Sequence, residues 1–312
     1  MTPTSPDSAL PHGWTRLTDW GLIRARGGDA ASFLHGQLTQ DMTHLEAGQA
    51  RLAGYCSVKG RLLATFVVWR PAADEFLLAC SADLLPAVLK RLSMYVMRAQ
   101  CKLSDASAEL PLWGGVGVTL PGASTTVWSR SVGEYGDAIA LPPAAVDGDA
   151  VPRWLLAGAT APGPELALDD WRWLEARSGV ARIVAATSEQ FVPQMVNLEL
   201  VGGVNFQKGC FPGQEVVARS QYRGTLKRRG MVVDSAVALQ PGQEIFHSAD
   251  PGQPAGMVVL AGSASTTGDT RHAALIELKL AAMAHGTLHA GTADGPLLTL
   301  AELPYAIPTE AA

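Results

Sequence analysis

Apolar positions recur at helical spacing in three stretches of the chain: 29–38, 84–97 and 168–178. Each stretch places apolar residues on one face and polar residues on the other, as an amphipathic helix does. In the first stretch, Asp29 stands where a side chain caps the first turn. In the third, acidic residues come near the start and Gly179 follows the end. The pattern therefore predicts three helices.

Short β-rich runs predict strands at 15–25, 54–58, 62–69 and 75–80. A Lys59-Gly60 turn joins two of them, and the helix at 84–97 follows, so this part predicts an antiparallel meander covered by a helix. Residues 114–163 are rich in Gly, Pro, Ala and Ser, which is typical of short strands and variable loops. Runs at 231–233, 256–260 and 273–280, separated by turn residues, predict a small C-terminal β-barrel. The fold class is α+β.

Composition describes a folded protein of 312 residues, 47% hydrophobic and 17% charged, large enough for two or three domains. No run of 18 apolar residues is free of charge, and the polar, Pro-rich start lacks the order of a signal peptide, so a cytoplasmic protein is expected. The net charge of -5 gives no general attraction to nucleic acid. The four cysteines show no CxxC spacing, which argues against a zinc site and a disulfide framework.

The segment 208–215, KGCFPGQE, carries the strongest chemical signal. Cys210 lies between two glycines and close to Lys208, and Arg219 and Arg223 add positive charge that favours a thiolate. The plainer interpretations are a small buried hydrophobe for the cysteine and a solvated basic face for the cations. The context favours Cys210 and Lys208 as the reactive centre of an exposed site.

Longer runs of sequence resemble one known family. They are FVPQMVNL at 191–198, GGVNFQKGCFPGQE at 202–215, AR at 218–219, YRG at 222–224 and FLHGQLTQD at 33–41, with weaker agreement at 59–61 and 303–305. Together they resemble the YgfZ family of folate-binding proteins, which is similar in fold to the aminomethyltransferase (T-protein, GcvT) of the glycine cleavage system. The resemblance covers nearly the whole chain.

The resemblance implies a three-domain fold with α/β sandwich domains and a C-terminal barrel around a central folate-sized cavity. The expected domains are 14–50 plus 160–228, which form a discontinuous folate-binding domain, then 51–159 and 229–312. The implied role is that of a tetrahydrofolate-binding accessory protein that supports iron-sulfur cluster assembly or repair. Expected partners are folate and iron-sulfur client enzymes or assembly proteins, and a monomer is expected.

A folate site needs flat apolar walls and amide groups for the pterin edge. Trp20 and Trp171 match aromatic positions that the resemblance places near the folate. Gln194 and Asn197 offer amides, with a turn-stabilising role as the alternative. Arg223 is assigned to a carboxylate of the folate tail or to an acidic partner surface. Core packing is the better interpretation of the tryptophans at 69, 113, 128 and 154.

The cysteine separates this chain from the aminomethyltransferases, whose corresponding loop reads approximately KGxFIGxE. No matching carboxylate is assignable here, since Asp74 and Asp83 are candidates only by region. An aminomethyltransferase-like one-carbon transfer enzyme is therefore the alternative function, and a folate store with an incidental cysteine is a third. A lone thiolate does not supply the four ligands of a usual cluster, so no metal site is predicted and the protein is expected to act with a client.

Overall fold

A computed structural model of the protein describes residues 10–222, 226–266 and 269–308. The first part contains β1 (Gly13–Arg16), β2 (Trp20–Arg26), α1 (Ala30–Gln37), β3 (Ala50–Cys56), β4 (Leu62–Ala72), β5 (Glu75–Ser81), α2 (Leu85–Val96) and β6 (Lys102–Asp105). The middle contains β7 (Leu112–Val116), β8 (Arg130–Gly133), β9 (Gly136–Val146), β10 (Asp149–Ala157), α3 (Leu168–Arg177) and α4 (Gln214–Tyr222). The last part contains β11 (Arg228–Ser235), β12 (Glu244–His247), β13 (Gly256–Thr266), β14 (Asp269–Lys279), β15 (Leu288–Ala290) and β16 (Leu297–Ala301).

The first sheet has the strand order β3-β4-β5-β2-β6, with antiparallel neighbours throughout. α2 lies against it and buries Leu85, Val88 and Leu92, the apolar stripe that the sequence predicts. The predicted meander and its covering helix are confirmed. The hairpin of β3 and β4 turns at Lys59 and Gly60, where Gly60 has a φ of 71°.

The second sheet has the order β1-β7-β10-β9-β8. The single strand predicted at 15–25 is wrong, because the chain crosses between the two sheets at 17–19. β1 pairs with β7, whereas β2 pairs with β5 and β6. A run of alternating residues does not reveal this break, since it is caused by two different partner strands distant in sequence.

The C-terminal part is a closed barrel with the order β11-β14-β13-β12-β15-β16, which confirms the predicted barrel. α3 packs against β13 and β14 and also contacts β9 of the second sheet. Gly262 lets the backbone of β13 approach the backbone of α3 closely, because a Cβ at this position would lie 2.2 Å from the backbone nitrogen of Trp173. α3 is therefore the element that joins the barrel to the sheets.

The three predicted helices are confirmed within one residue at each end. Asp29 does not cap α1 with its side chain as expected. Its carboxylate instead accepts the backbone N–H of Gln100 at 2.7 Å, which ties the start of α1 to the segment before β6. The predicted domain boundaries stay a prediction. No helix among the described residues is long and apolar enough to cross a membrane.

Candidate functional site

The cysteine loop lies on the turn of the β3–β4 hairpin. Gly213 has a φ of 77°, and a Cβ there would lie 2.4 Å from the carbonyl oxygen of Ser57 and 2.6 Å from Gly60. The ring of Phe211 is buried beneath the loop, whereas Cys210 is exposed. The loop therefore holds its thiol at the surface while its flanks are fixed to the first sheet.

Lys208 connects the same loop to the end of α1. Its Nζ donates to the carbonyl oxygens of Leu38, at 2.7 Å, and of His35, and lies 5.0 Å from the centre of the Phe211 ring. The last carbonyls of a helix lack partners within the helix, and a cation satisfies them well. Burial lowers the pKa of Lys208 to about 8, although Asp41 and Cys210 act in the opposite direction. The lysine is thus an anchor beneath the loop.

Asp41 organises a small polar cluster next to this anchor. Its carboxylate accepts hydrogen bonds from Thr43 and faces the Nδ1 atoms of His35 at 3.0 Å and His44 at 2.7 Å. Burial acts to raise its pKa, but the hydrogen bonds outweigh burial and hold the pKa well below its usual range. Sequence reasoning did not single out this cluster. His35 lies at the end of α1, and Asp41, Thr43 and His44 lie in the loop that follows it.

Gln194 and Asn197 are fully buried beside β11. The amide nitrogen of Gln194 donates to the carbonyl oxygen of Val217, and its Oε1 is a buried acceptor without a partner among the described residues. Asn197 donates to the carbonyl of Gly230 at 2.8 Å and to the Tyr305 hydroxyl at 3.3 Å, and its Oδ1 accepts the Gly230 N–H. The Asn197 amide thus joins the segment before α4 to the barrel. Pterin contacts by these two amides stay a prediction.

Trp20 lies at the start of β2 and lines a small cavity between the two sheets and α3. The guanidinium of Arg182 stacks on its ring at 5.1 Å. The indole Nε1 is buried and has no acceptor among the described residues. Arg182 itself is held by Glu175 through two contacts of 2.7 and 2.8 Å. Burial acts to lower the pKa of Arg182, but Glu175 and Asp19 outweigh it, so this pKa is raised.

Trp171 is fully buried in α3 and lies behind the cavity wall. Its ring packs on Gly114, where a Cβ would lie 2.4 Å away, and Arg153 stacks on it at 4.6 Å. Arg153 and Trp128 line the cavity directly. Sequence reasoning did not name Arg153, and it assigned Trp128 to core packing, where it also contacts two core clusters. One signal was present: Val151, Arg153 and Leu155 alternate along β10, so the arginine occupies an inward-facing position of an apolar strand.

The free space of this cavity is about 30 Å³, which is room for one or two water molecules. The central folate-sized cavity implied by the family resemblance is therefore not shown. A cleft of about 610 Å³ adjoins the cavity at Arg182, which lines both. The cleft lies between the first sheet, α3 and the barrel, and its walls include Asp19, Asp83 and Arg172. Its volume is that of an ordinary small-molecule site.

The cysteine loop and the cavity lie at different places along the β3–β4 hairpin. Gly60 contacts the loop, and Thr65 on β4 lines the cavity. They are five positions apart in the chain, which corresponds to at most about 17 Å of extended backbone. Neither Cys210 nor Lys208 lines the cavity. Trp20 and the cysteine loop are therefore not brought into one pocket. Arg223 lies outside the described residues.

Of the remaining cysteines, Cys56 and Cys80 are buried and Cys101 is partly buried. Burial raises the pKa of the Cys56 and Cys80 thiols to about 12, and it raises the pKa of Cys101 as well, with help from Asp29. Cys210 is the exposed one of the four. Across the described ranges, no group of three or more His, Cys, Asp or Glu residues is placed to hold a metal ion.

Sequence similarity to curated proteins shows which family this chain belongs to. A protein of Vibrio vulnificus named tRNA-modifying protein YgfZ is 33% identical over 230 residues, which cover 70% of this chain and 69% of the relative. A protein of the same name from Photorhabdus laumondii is 31% identical over 233 residues, covering 71% of this chain and 70% of the relative. The chain belongs to the YgfZ family. No family model matches it.

The solved structures support the same assignment at the level of the fold. The crystal structure of glycine cleavage system aminomethyltransferase T from Bartonella henselae matches with a TM-score of 0.72, covering 95% of this chain and 87% of that one. At 16% identity the likeness shows a shared fold alone. The family and the fold predicted from the sequence are thereby confirmed.

We expect Asn197→Ala to lower the free energy of unfolding by about 2 to 4 kcal/mol, because it removes the bonds to Gly230 and leaves an alanine at a φ of 57°. Asn197→Gly tolerates that backbone and should cost about 1 kcal/mol less. Urea denaturation of both variants checks this. Unchanged stability together with lost folate affinity would instead support the ligand role predicted from the sequence.

The lowered pKa of Lys208 gives a second prediction. Between a folded pKa of about 8 and the ordinary lysine value near 10.4, the unfolded chain binds more protons than the folded one. Stability contributed by this group therefore rises with pH in that window. Relative to Lys208→Met, the wild type should gain about 2 to 3 kcal/mol between pH 7 and pH 10. A difference that stays constant across this range in denaturant titrations would contradict the buried position of the ammonium.

Proposed function

We propose that this protein binds tetrahydrofolate at the cavity and cleft that meet at Arg182. The observation that carries the proposal is Trp20, which lines the cavity between the sheets and whose buried indole N–H has no acceptor among the described residues. A reduced pterin supplies both complements, a flat ring and carbonyl or ring-nitrogen acceptors. The aminomethyltransferase fold and the family resemblance support the same ligand.

The volumes of the cavity and of the cleft determine which part of the folate each of them is proposed to hold. The cavity of about 30 Å³ does not admit a pterin until its walls move apart. Trp20 and Trp128 are only half buried, so both rings have room to shift. The cleft of about 610 Å³ then holds the aminobenzoyl and glutamate part beside the opening at Arg182. The assignment of a tail carboxylate to Arg223 stays part of the proposal.

We further propose that the cysteine loop serves a client protein that carries an iron-sulfur cluster. Cys210 is exposed on a loop whose base is fixed by Lys208 and by the hairpin turn, which suits a thiol presented to another macromolecule. The thiol lies away from the cavity, so the proposal gives Cys210 a role at the protein surface. The partner is cytoplasmic in this proposal, and the protein itself acts as a monomer.

The relatives' name indicates which clients to test first. Both are named tRNA-modifying protein, whereas the net charge of this chain is -5, which gives no general attraction to tRNA. We propose that the link to tRNA runs through an iron-sulfur enzyme that modifies it. The alternative, one-carbon transfer like that of an aminomethyltransferase, has the shared fold in its favour.

Tetrahydrofolate should quench the tryptophan fluorescence of the wild type, and Trp20→Phe should lose most of that quenching. Trp154→Phe is the matched control, because Trp154 is buried on the outer face of the second sheet and donates to Val118. A Trp171→Ala variant is expected to lose the quenching too, but it empties a fully buried site at a cost of about 3 to 5 kcal/mol. Trp20→Phe is therefore the sharper variant. Absence of binding to the wild type in calorimetry would overturn the folate proposal.

Cys210→Ala should fail to restore iron-sulfur enzyme activity and tRNA nucleoside modification in a strain that lacks the gene. Its free energy of unfolding should stay within about 0.5 kcal/mol of wild type, because Cys210 is exposed. Cys101→Ala is the control thiol and should complement fully. Full complementation by Cys210→Ala would remove the cysteine from the proposal. Robust glycine cleavage with a lipoylated carrier would favour the alternative enzyme.

A further inference from the structure

Arg153 is a buried cation without an ionic partner. Its side chain is 4% exposed, and within the described part of the chain no carboxylate lies within ion-pair distance of its nitrogens. One nitrogen donates to the carbonyl of Pro142 at 3.4 Å, and the buried Nε has no acceptor among the described residues. Burial of an unpaired charge is costly, and proteins rarely retain one without a use for it.

The position of Arg153 points at the cavity. Arg153 and Trp20 both line it, and each has a buried N–H donor without an acceptor among the described residues. The other charges on the wall, Glu175 and Arg182, neutralise each other. The cavity therefore carries an excess of positive charge and of hydrogen-bond donors. Burial lowers the pKa of Arg153 to about 10, with Glu175 acting in the opposite direction.

A second arginine in the same layer shows what a purely structural role looks like. Arg177 is equally buried and lies over Trp173 at 5.1 Å, much as Arg153 lies over Trp171. Its Nε donates to the carbonyl of Ala145 at 2.7 Å, and it pairs with Asp234. Arg177 is satisfied by the protein, and Arg153 is not.

We infer that Arg153 recognises the acceptor edge of the conjugated ring of the bound ligand, by charge-assisted hydrogen bonds to a ring carbonyl or ring nitrogen. The inference rests on the proposed folate function and adds to it the residue that selects an acceptor-rich ring. A carboxylate of the glutamate tail is the other chemistry that a guanidinium accepts. The ring is favoured because Arg153 lies between the two sheets beside Trp20 and Trp128, whereas a charged tail needs the solvent-exposed cleft.

The test compares Arg153→Met with Arg177→Met by anaerobic calorimetry and by thermal melting without ligand. Arg153→Met should weaken tetrahydrofolate binding at least tenfold while melting at or above the wild-type temperature, because it removes an unpaired buried charge. Arg177→Met should melt lower and keep wild-type affinity. If that variant does not fold, Arg177→Lys takes its place. Arg153→Lys keeps the charge without the planar fork and should recover only part of the affinity.

Two fragments identify the part of the ligand that Arg153 contacts. The affinity for 6-methyltetrahydropterin should fall in Arg153→Met by the same factor as that for tetrahydrofolate, and the affinity for p-aminobenzoylglutamate should not change. A loss confined to p-aminobenzoylglutamate would overturn the ring assignment, as would wild-type affinity in Arg153→Met combined with a lower melting temperature. Wild-type protein that binds no tetrahydrofolate would overturn the proposed function itself, which is a different result from failure of the variant alone.

Discussion

The buried ion pair between Glu175 and Arg182 is the interaction on which the centre of the molecule depends. All three guanidinium nitrogens of Arg182 donate, to Glu175, to the Ser81 hydroxyl and to Asp19. These partners belong to α3, to β5 and to the crossing between β1 and β2, so one cation joins both sheets to the helix that carries the barrel. Removing one member of such a pair costs about 3 to 5 kcal/mol. Because Arg182 also stacks on Trp20, the same network contacts a ring that lines the cavity.

Arg153 is a second buried cation at this centre. Its burial is not offset by an ion pair among the described residues, whereas that of Arg182 is. Glu175 already forms both of its short contacts with Arg182, so it cannot neutralise Arg153 as well. Stacking on Trp171 and packing within β10 hold the guanidinium in place despite its desolvation. Under the proposed role of Arg153, the free protein carries a desolvation cost that a bound ligand with suitable acceptors relieves. Residues that serve binding commonly lower the free energy of unfolding of the free protein in this way.

Local patterns in the sequence predict the elements well and their partners poorly. The apolar stripe of α2 and the turn at Lys59 and Gly60 depend on neighbouring residues, and both are found where predicted. The break at 17–19 and the bond between Asp29 and Gln100 depend on strands and loops far away in sequence. The cysteine loop was recognisable from its glycines and its lysine. The cavity was not recognisable, because only the folded structure shows that Glu175 pairs with Arg182 and that Arg153 has no carboxylate partner among the described residues.

The separation of the cysteine loop from the cavity constrains the chemistry that the two sites share. A thiolate that attacks a folate-bound carbon needs to approach within a few ångströms, but Gly60 and Thr65 hold the two sites at different positions along one hairpin. The strands β3 and β4 pair along this length, with a register shift at Tyr55 and Cys56 opposite Ala64 and Leu62. Under the proposed function, folate stays at the cavity and the thiol of Cys210 meets a partner at the surface.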